Sequence, residues 1–374
     1  MPLHTLSELT GDFVVYRNLE PYDVRVPGVN QAWKDMGLSE PRVVRKRDPA
    51  YPQAAKWILQ HCHEINAPGA QITEMLLIGD TFANDGGAYS LLAEATGWQG
   101  AAFIGKEALD QPAETSWRGN IFVANRWQGL AEWLEALQTR GLKLDKNTVV
   151  IVDIDKTAFG ARGRNHTPID VARIQAISQT VQQALGDDTD INAFTEIYLE
   201  LNQQKYHDLT GDNQDYLAYI SILVGAGVIP MAELRQKHAN GALNDFATFI
   251  DLVQPGRADM PAGLAELHDA VLEAYQINDP TPFKDFRRNE YLMTVESMGH
   301  LPTDAPESQR QVEEICLTQE VWDACRWLQA RDVTITSFSD KPDEACAPNA
   351  ELAAQGHNSI HNTPTHLLGK ALDV

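Results

Sequence analysis

Asp153 and Asp155 stand one residue apart in the stretch VVIVDIDKTAF, directly after four branched apolar residues. Such a run reads as a buried strand, which puts both acids at its carboxyl end. Two other strand-like runs stop in the same way: LLIG is followed by Asp80, and VTITSF by Ser339. Parallel sheets bind ligands in the crevice outside the carboxyl ends of their strands. Gathering several carboxylates there is costly unless a cation neutralises them. A hard, oxygen-ligated ion such as Mg²⁺ is the natural partner, with room kept for a phosphate. The chemistry this points to is metal-assisted phosphoryl transfer.

The elements that position these residues are legible in outline. FVVY (13–16), EMLLIGD (74–80), AAFIG (101–105), NIFVAN (120–125) and TVVIVDID (148–155) read as strands. They alternate with three helices. One is capped by Asp48 with Pro49 at its first position and runs to about Cys62; the others cover about 86–95 and 127–137. This alternation predicts an α/β fold, a Rossmann-like and mainly parallel sheet. From about 161 to 330 the pattern becomes helical. Thr167–Pro168 starts a helix reaching near Gly186. Leu264, Leu267, Val271 and Tyr275 recur at helical spacing, as do Val321, Cys325 and Leu328. Sheet character returns in VTITSFSDKP (333–342). The domains expected are therefore an α/β core of 1–159 with 331–374 and a helical domain of 160–330.

Bulk properties narrow the function classes. The formal net charge of −22, from 52 acids against 30 bases, opposes binding to a nucleic-acid backbone. The longest apolar run, near 219–231, is broken by glycines and Pro230, so no membrane span is expected. The start, MPLHTLSELTGDF, lacks the pattern of a secretory leader, and the expectation is a cytoplasmic protein. Cys62, Cys316, Cys325 and Cys346 show no paired spacing and read as reduced core thiols. HCHE at 61–64 suggests a metal, but positions i and i+2 diverge on a helix, so a surface location is expected.

The acid-bearing motifs resemble those of the haloacid dehalogenase superfamily. DIDKT (153–157) resembles its first motif, and SFSDKP (337–342) its second. RKRDPAYPQAA (45–55) is similar to the third, with Arg47 in place of a proline, and IGDTFANDGGA (78–88) to the fourth. The order departs from the family, because the third and fourth motifs precede the first. Only 35 residues follow Ser339, too few for another acid-tipped strand and its helix. The resemblance therefore implies a circularly permuted core, joined near 140–148, with a helical cap inserted after the first motif. Pairing of the two halves between chains, and so a homo-oligomer, stays open.

The resemblance implies a role for each residue. Asp153 would be the nucleophile and Asp155 the general acid and base. Asp153, Asp80 and the backbone carbonyl of Asp155 would hold Mg²⁺, with Asp85 supporting its waters. Ser339 and Lys46 would bind phosphoryl oxygens, with Arg45, Arg47 or Lys341 as substitutes for the lysine. Thr157 would position the loop. In GARGRN (160–165), Arg162 and Arg164 would either reach a substrate anion or pair with surface acids. The implied activity is a Mg²⁺-dependent phosphatase acting on a small phosphorylated substrate. Alternatives are a phosphomutase or phosphotransferase of the same superfamily, and a non-catalytic binding relative.

Overall fold

The computed structural model describes residues 2–186, 189–211 and 213–374. The chain divides into two compact units, Met1–Asp170 with Thr294–Val374, and Val171–Met293.

Ten strands belong to the first unit: β1 (Leu3–His4), β2 (Val14–Val15), β3 (Glu74–Gly79), β4 (Gln99–Gly105), β5 (Thr115–Arg118), β6 (Ile121–Ala124), β7 (Thr148–Val152), β8 (Leu317–Thr318), β9 (Thr334–Phe338) and β10 (Thr365–Leu368). Seven form one sheet in the order β2-β9-β7-β3-β4-β6-β5. Every neighbouring pair is parallel except β5 with β6. The fold is thus α/β with a mostly parallel sheet.

Continuous apolar strands such as MLLI and VVIV follow from burial of the sheet on both faces. Met75, Leu77, Val149 and Ile151 share one core with Ala54, Ile58 and Leu59 of the helix Tyr51–Asn66. Phe103 of β4 instead has Trp127 and Trp133 as ring neighbours, with centroids 6.1 and 5.8 Å away. All four cysteines are buried thiols outside any disulfide. No helix among the described residues is long and apolar enough to cross a membrane.

Several local expectations shift. The first long helix begins at Tyr51 and continues to Asn66. Asp48 does not cap it; its carboxylate accepts from the Ala50 N–H at 2.8 Å in a turn before the helix. HCHE is at the surface only in Glu64. His61 is half-buried and stacks on Trp57, while Cys62 and His63 are buried. His63 Nδ1 lies 2.8 Å from Thr334 Oγ1, a partner on a distant strand that helical spacing cannot reveal. The small sheet β1-β10-β8 was not expected, its strands being too short to show periodicity.

The helical unit lies inside the range expected for it. Residues 160–170 and 294–330 belong with the sheet unit. Asn165 explains part of this: its side chain donates to the carbonyls of Arg310, Gln311 and Glu314 and accepts from the Cys316 N–H. Within Val171–Met293, Tyr219, Leu223, Phe249 and Leu264 form a core of their own. A buried ion network accompanies it, with Arg287 2.7 Å from Asp215 and 2.6 Å from Glu290.

Candidate active site

Three adjacent strand tips carry the candidate residues. Asp153 follows β7, and β7 lies between β3, which Asp80 follows, and β9, which Ser339 follows. The registers Ile78↔Val152 and Val152↔Ser337 bring the three carboxyl ends level. Asp80, Asp85 and Asp153 each offer a carboxylate oxygen, and these oxygens all lie within 4.8 Å of one another. Asp80 and Asp153, distant in sequence, thus meet because their strands are parallel neighbours.

Asp85 reaches the cluster through an irregular turn. After β3 the chain makes a π-helical turn, Phe82–Gly86, before the helix Gly87–Thr96. Such turns re-aim side chains that a regular helix would send elsewhere. Asp85 Oδ2 accepts from the Thr81 N–H at 3.0 Å and the Thr81 hydroxyl at 2.9 Å. Gly79 makes room for it, since a Cβ there would lie 2.5 Å from the Asp85 Cβ.

Lys46 sits between two of the acids. Its Nζ donates to Asp85 Oδ1 at 2.8 Å and to Asp153 Oδ1 at 2.7 Å, and it is buried. Burial alone would lower its pKa, but Asp153 and Asp85 outweigh burial and hold it well above the ordinary lysine value. Asp85 is likewise tugged upward by burial, yet the charge and hydrogen bond of Lys46 bring it below its ordinary value. Burial pushes Asp153 well up against the pull of Lys46, with Asp85 and Asp80 adding to the rise. Burial also raises Asp80 to about 6, opposed by Arg162. The cluster thus carries more carboxylate than Lys46 alone can neutralise.

The loop after β7 folds back on itself. Lys156 has φ +64°, a left-handed conformation unusual outside glycine, and its side chain pairs with Asp170 at 2.9 Å. The turn lets the Ala158 N–H reach the Asp153 carbonyl at 3.1 Å. Thr157 is fully buried, and its carbonyl accepts from the Thr318 hydroxyl at 2.5 Å, which ties the loop to β8. Asp155 is more exposed than Asp153, and Lys341 Nζ lies 3.6 Å from its Oδ1. Ser339 is buried, and its Oγ accepts from the Lys341 N–H at 3.1 Å, keeping its own proton to donate.

The remaining site candidates separate. Lys46, and neither arginine beside it, enters the cluster; the Arg47 side chain donates instead to Asn84 at 2.6 Å. Arg162 contacts Asp80 through its Nε. Arg164 is committed elsewhere, its terminal nitrogens 2.8 and 2.6 Å from the two oxygens of buried Glu320. That is the ion-pair reading of Arg164, with a buried acid rather than a surface one. The Arg162–Asp80 and Arg164–Glu320 pairs, and the Thr81 clamp on Asp85, were not legible in sequence. Only Thr81 left a trace there, as a hydroxyl residue directly after the acid.

An all-carboxylate donor set with surplus negative charge fits a hard divalent cation. Comparison with protein-family models, curated proteins and solved structures returned no match.

Proposed function

We propose that this protein is a Mg²⁺-dependent phosphatase of the haloacid dehalogenase type, with a circularly permuted core, acting on a small phosphorylated metabolite. The observation that carries the reading is the meeting of Asp80, Asp85 and Asp153 within 4.8 Å at neighbouring parallel strand tips, with Lys46 between two of them. Three of the motifs that resemble the superfamily's in sequence, the first, third and fourth, thereby supply one cluster. Asp153, Asp80 and Asp85 are the side chains available to hold Mg²⁺. When bound, the ion supplies positive charge that favours ionised carboxylates and stabilises charge on phosphoryl oxygens.

The protein's own groups account for the remainder of the chemistry. Asp153 attacks phosphorus and forms an aspartyl-phosphate as the alkoxide leaves. Lys46, 2.7 Å from an Asp153 oxygen, opposes the protonation that burial favours. Asp155, less buried and beside Lys341, gives a proton to the leaving oxygen and then takes one from the attacking water. Ser339 O–H and Lys46 donate to phosphoryl oxygens. Turnover of an aryl phosphate with Mg²⁺ tests the reading. Wild type should release inorganic phosphate and Asp153→Asn should release none while keeping its circular dichroism. Persistent turnover by the variant removes Asp153 from the role of nucleophile, and an isomer in place of free phosphate identifies a mutase.

A further inference from the structure

We propose that Arg162 is an internal competitor for the cation site: its guanidinium and a divalent ion exclude one another at Asp80. The inference rests on the cation-site reading above and adds the group that regulates it.

Among the described residues, Lys46 and Arg162 meet the acid cluster, and their burial differs. The Lys46 side chain is 4% exposed and bonded to both Asp85 and Asp153. Moving it would leave two buried carboxylates without their counter-ion, a costly change. Arg162 touches Asp80, whose side chain is 5% exposed, but the Arg162 side chain is itself 37% exposed. It can leave the carboxylate more readily than Lys46 can, because its side chain already borders solvent and an incoming ion would take over the charge of Asp80. Of the two, Arg162 is the one that can leave.

Its departure would need only a side-chain rotation, for the backbone is fixed. The Arg162 N–H donates to the Lys156 carbonyl at 2.9 Å. Its own carbonyl accepts from the Glu107 N–H at 2.8 Å and from the Trp127 indole at 3.2 Å. Gly163 keeps this approach close, since a Cβ there would lie 2.0 Å from the Glu107 carbonyl oxygen. A released guanidinium therefore stays within one side-chain length of Asp80 and can fork onto an anion there. Cation loading and anion capture become linked through one residue.

Calorimetric titration of the full chain with Mg²⁺ tests this without turnover. Arg162→Gln should bind Mg²⁺ about fivefold more tightly than wild type, as expected for loss of a part-exposed ionic competitor. Asp80→Asn should lose the binding. In wild type labelled with nitrogen-15 arginine, saturating Mg²⁺ should shift the Arg162 Nε–H resonance and speed its exchange, a readout needing no variant. Tighter binding by Arg162→Gln, or binding seen only in that variant, supports the competition. Equal or weaker binding beside a binding wild type overturns it and leaves the cation site standing. An Nε–H unmoved at saturation overturns it likewise. Absence of Mg²⁺ binding in both proteins, or its survival in Asp80→Asn, removes the cation-site reading and the inference with it.

Discussion

Lys46 illustrates how much a single residue can decide. Two buried carboxylates share its ammonium, so removing it leaves charge that the interior cannot solvate. Lys46→Met is expected to lower unfolding free energy by about 3–5 kcal/mol, read from urea denaturation. Added Mg²⁺ should restore part of that loss if the acids bind the ion. An unchanged midpoint would mean that Asp85 and Asp153 do not depend on the lysine. Sequence offered four basic candidates for the proposed phosphate contact, Arg45, Lys46, Arg47 and Lys341. Nothing in their spacing separates them. Only the folded chain shows Lys46 turned into the cluster, Arg47 bound to Asn84 and Lys341 beside Asp155.

At the scale of elements, short segments far apart in sequence hold the sheet edge. Tyr16 follows β2, and its hydroxyl is 2.7 Å from His361 Nδ1, in the segment before β10. His361 Nε2 is 3.6 Å from Asp12, and the ring is buried. Burial pushes the imidazole down to about 4, against the opposing pull of Asp12. The unfolded chain takes up that proton near pH ~6.5. Because the folded value is depressed, the stabilisation is complete above about pH 6.5 and is lost as pH falls toward 4. His361→Gln should flatten this dependence, so that the gap between wild type and variant narrows by up to about 3 kcal/mol from pH 7 to 4. Urea midpoints across that range measure it; parallel curves would remove His361 as the cause. The long buried strands were legible because apolar runs followed by an acid or a serine have few other readings. β1, β5, β8 and β10 were not, since their pairing is made by partners rather than by pattern.

For the whole molecule, connectivity is the telling feature. β1 pairs antiparallel with β10, Leu3 opposite His366, so a segment near each end of the chain lies beside the other. The turn into β7 is held by buried Glu74, which accepts from the Lys143 and Leu144 N–H groups at 2.8 and 2.9 Å and from Thr148 Oγ1 at 2.9 Å. A permutant that joins Val374 to Met1 through a flexible glycine-serine linker and opens between Arg140 and Gly141 leaves those bonds intact. Gly141 is exposed, where new ends are tolerated. The permutant should fold, melt within about 10 °C of wild type and keep its Mg²⁺ affinity. An unfolded product would show that the present order of segments is needed, which the permuted reading does not expect.

The sequence by itself determined which strands are buried, that their carboxyl tips carry acids, and that a helical stretch separates Asp153 from Ser339. Periodicity and the cost of a buried carboxylate are local properties, so they can be read along the chain. Tertiary structure alone decided that Asp80, Asp85 and Asp153 converge, that Lys46 joins them, and that Arg162 and Arg164 part company. Those choices depend on which strands become neighbours and on which buried charges find a counter-ion. Both are settled only when the chain closes on itself.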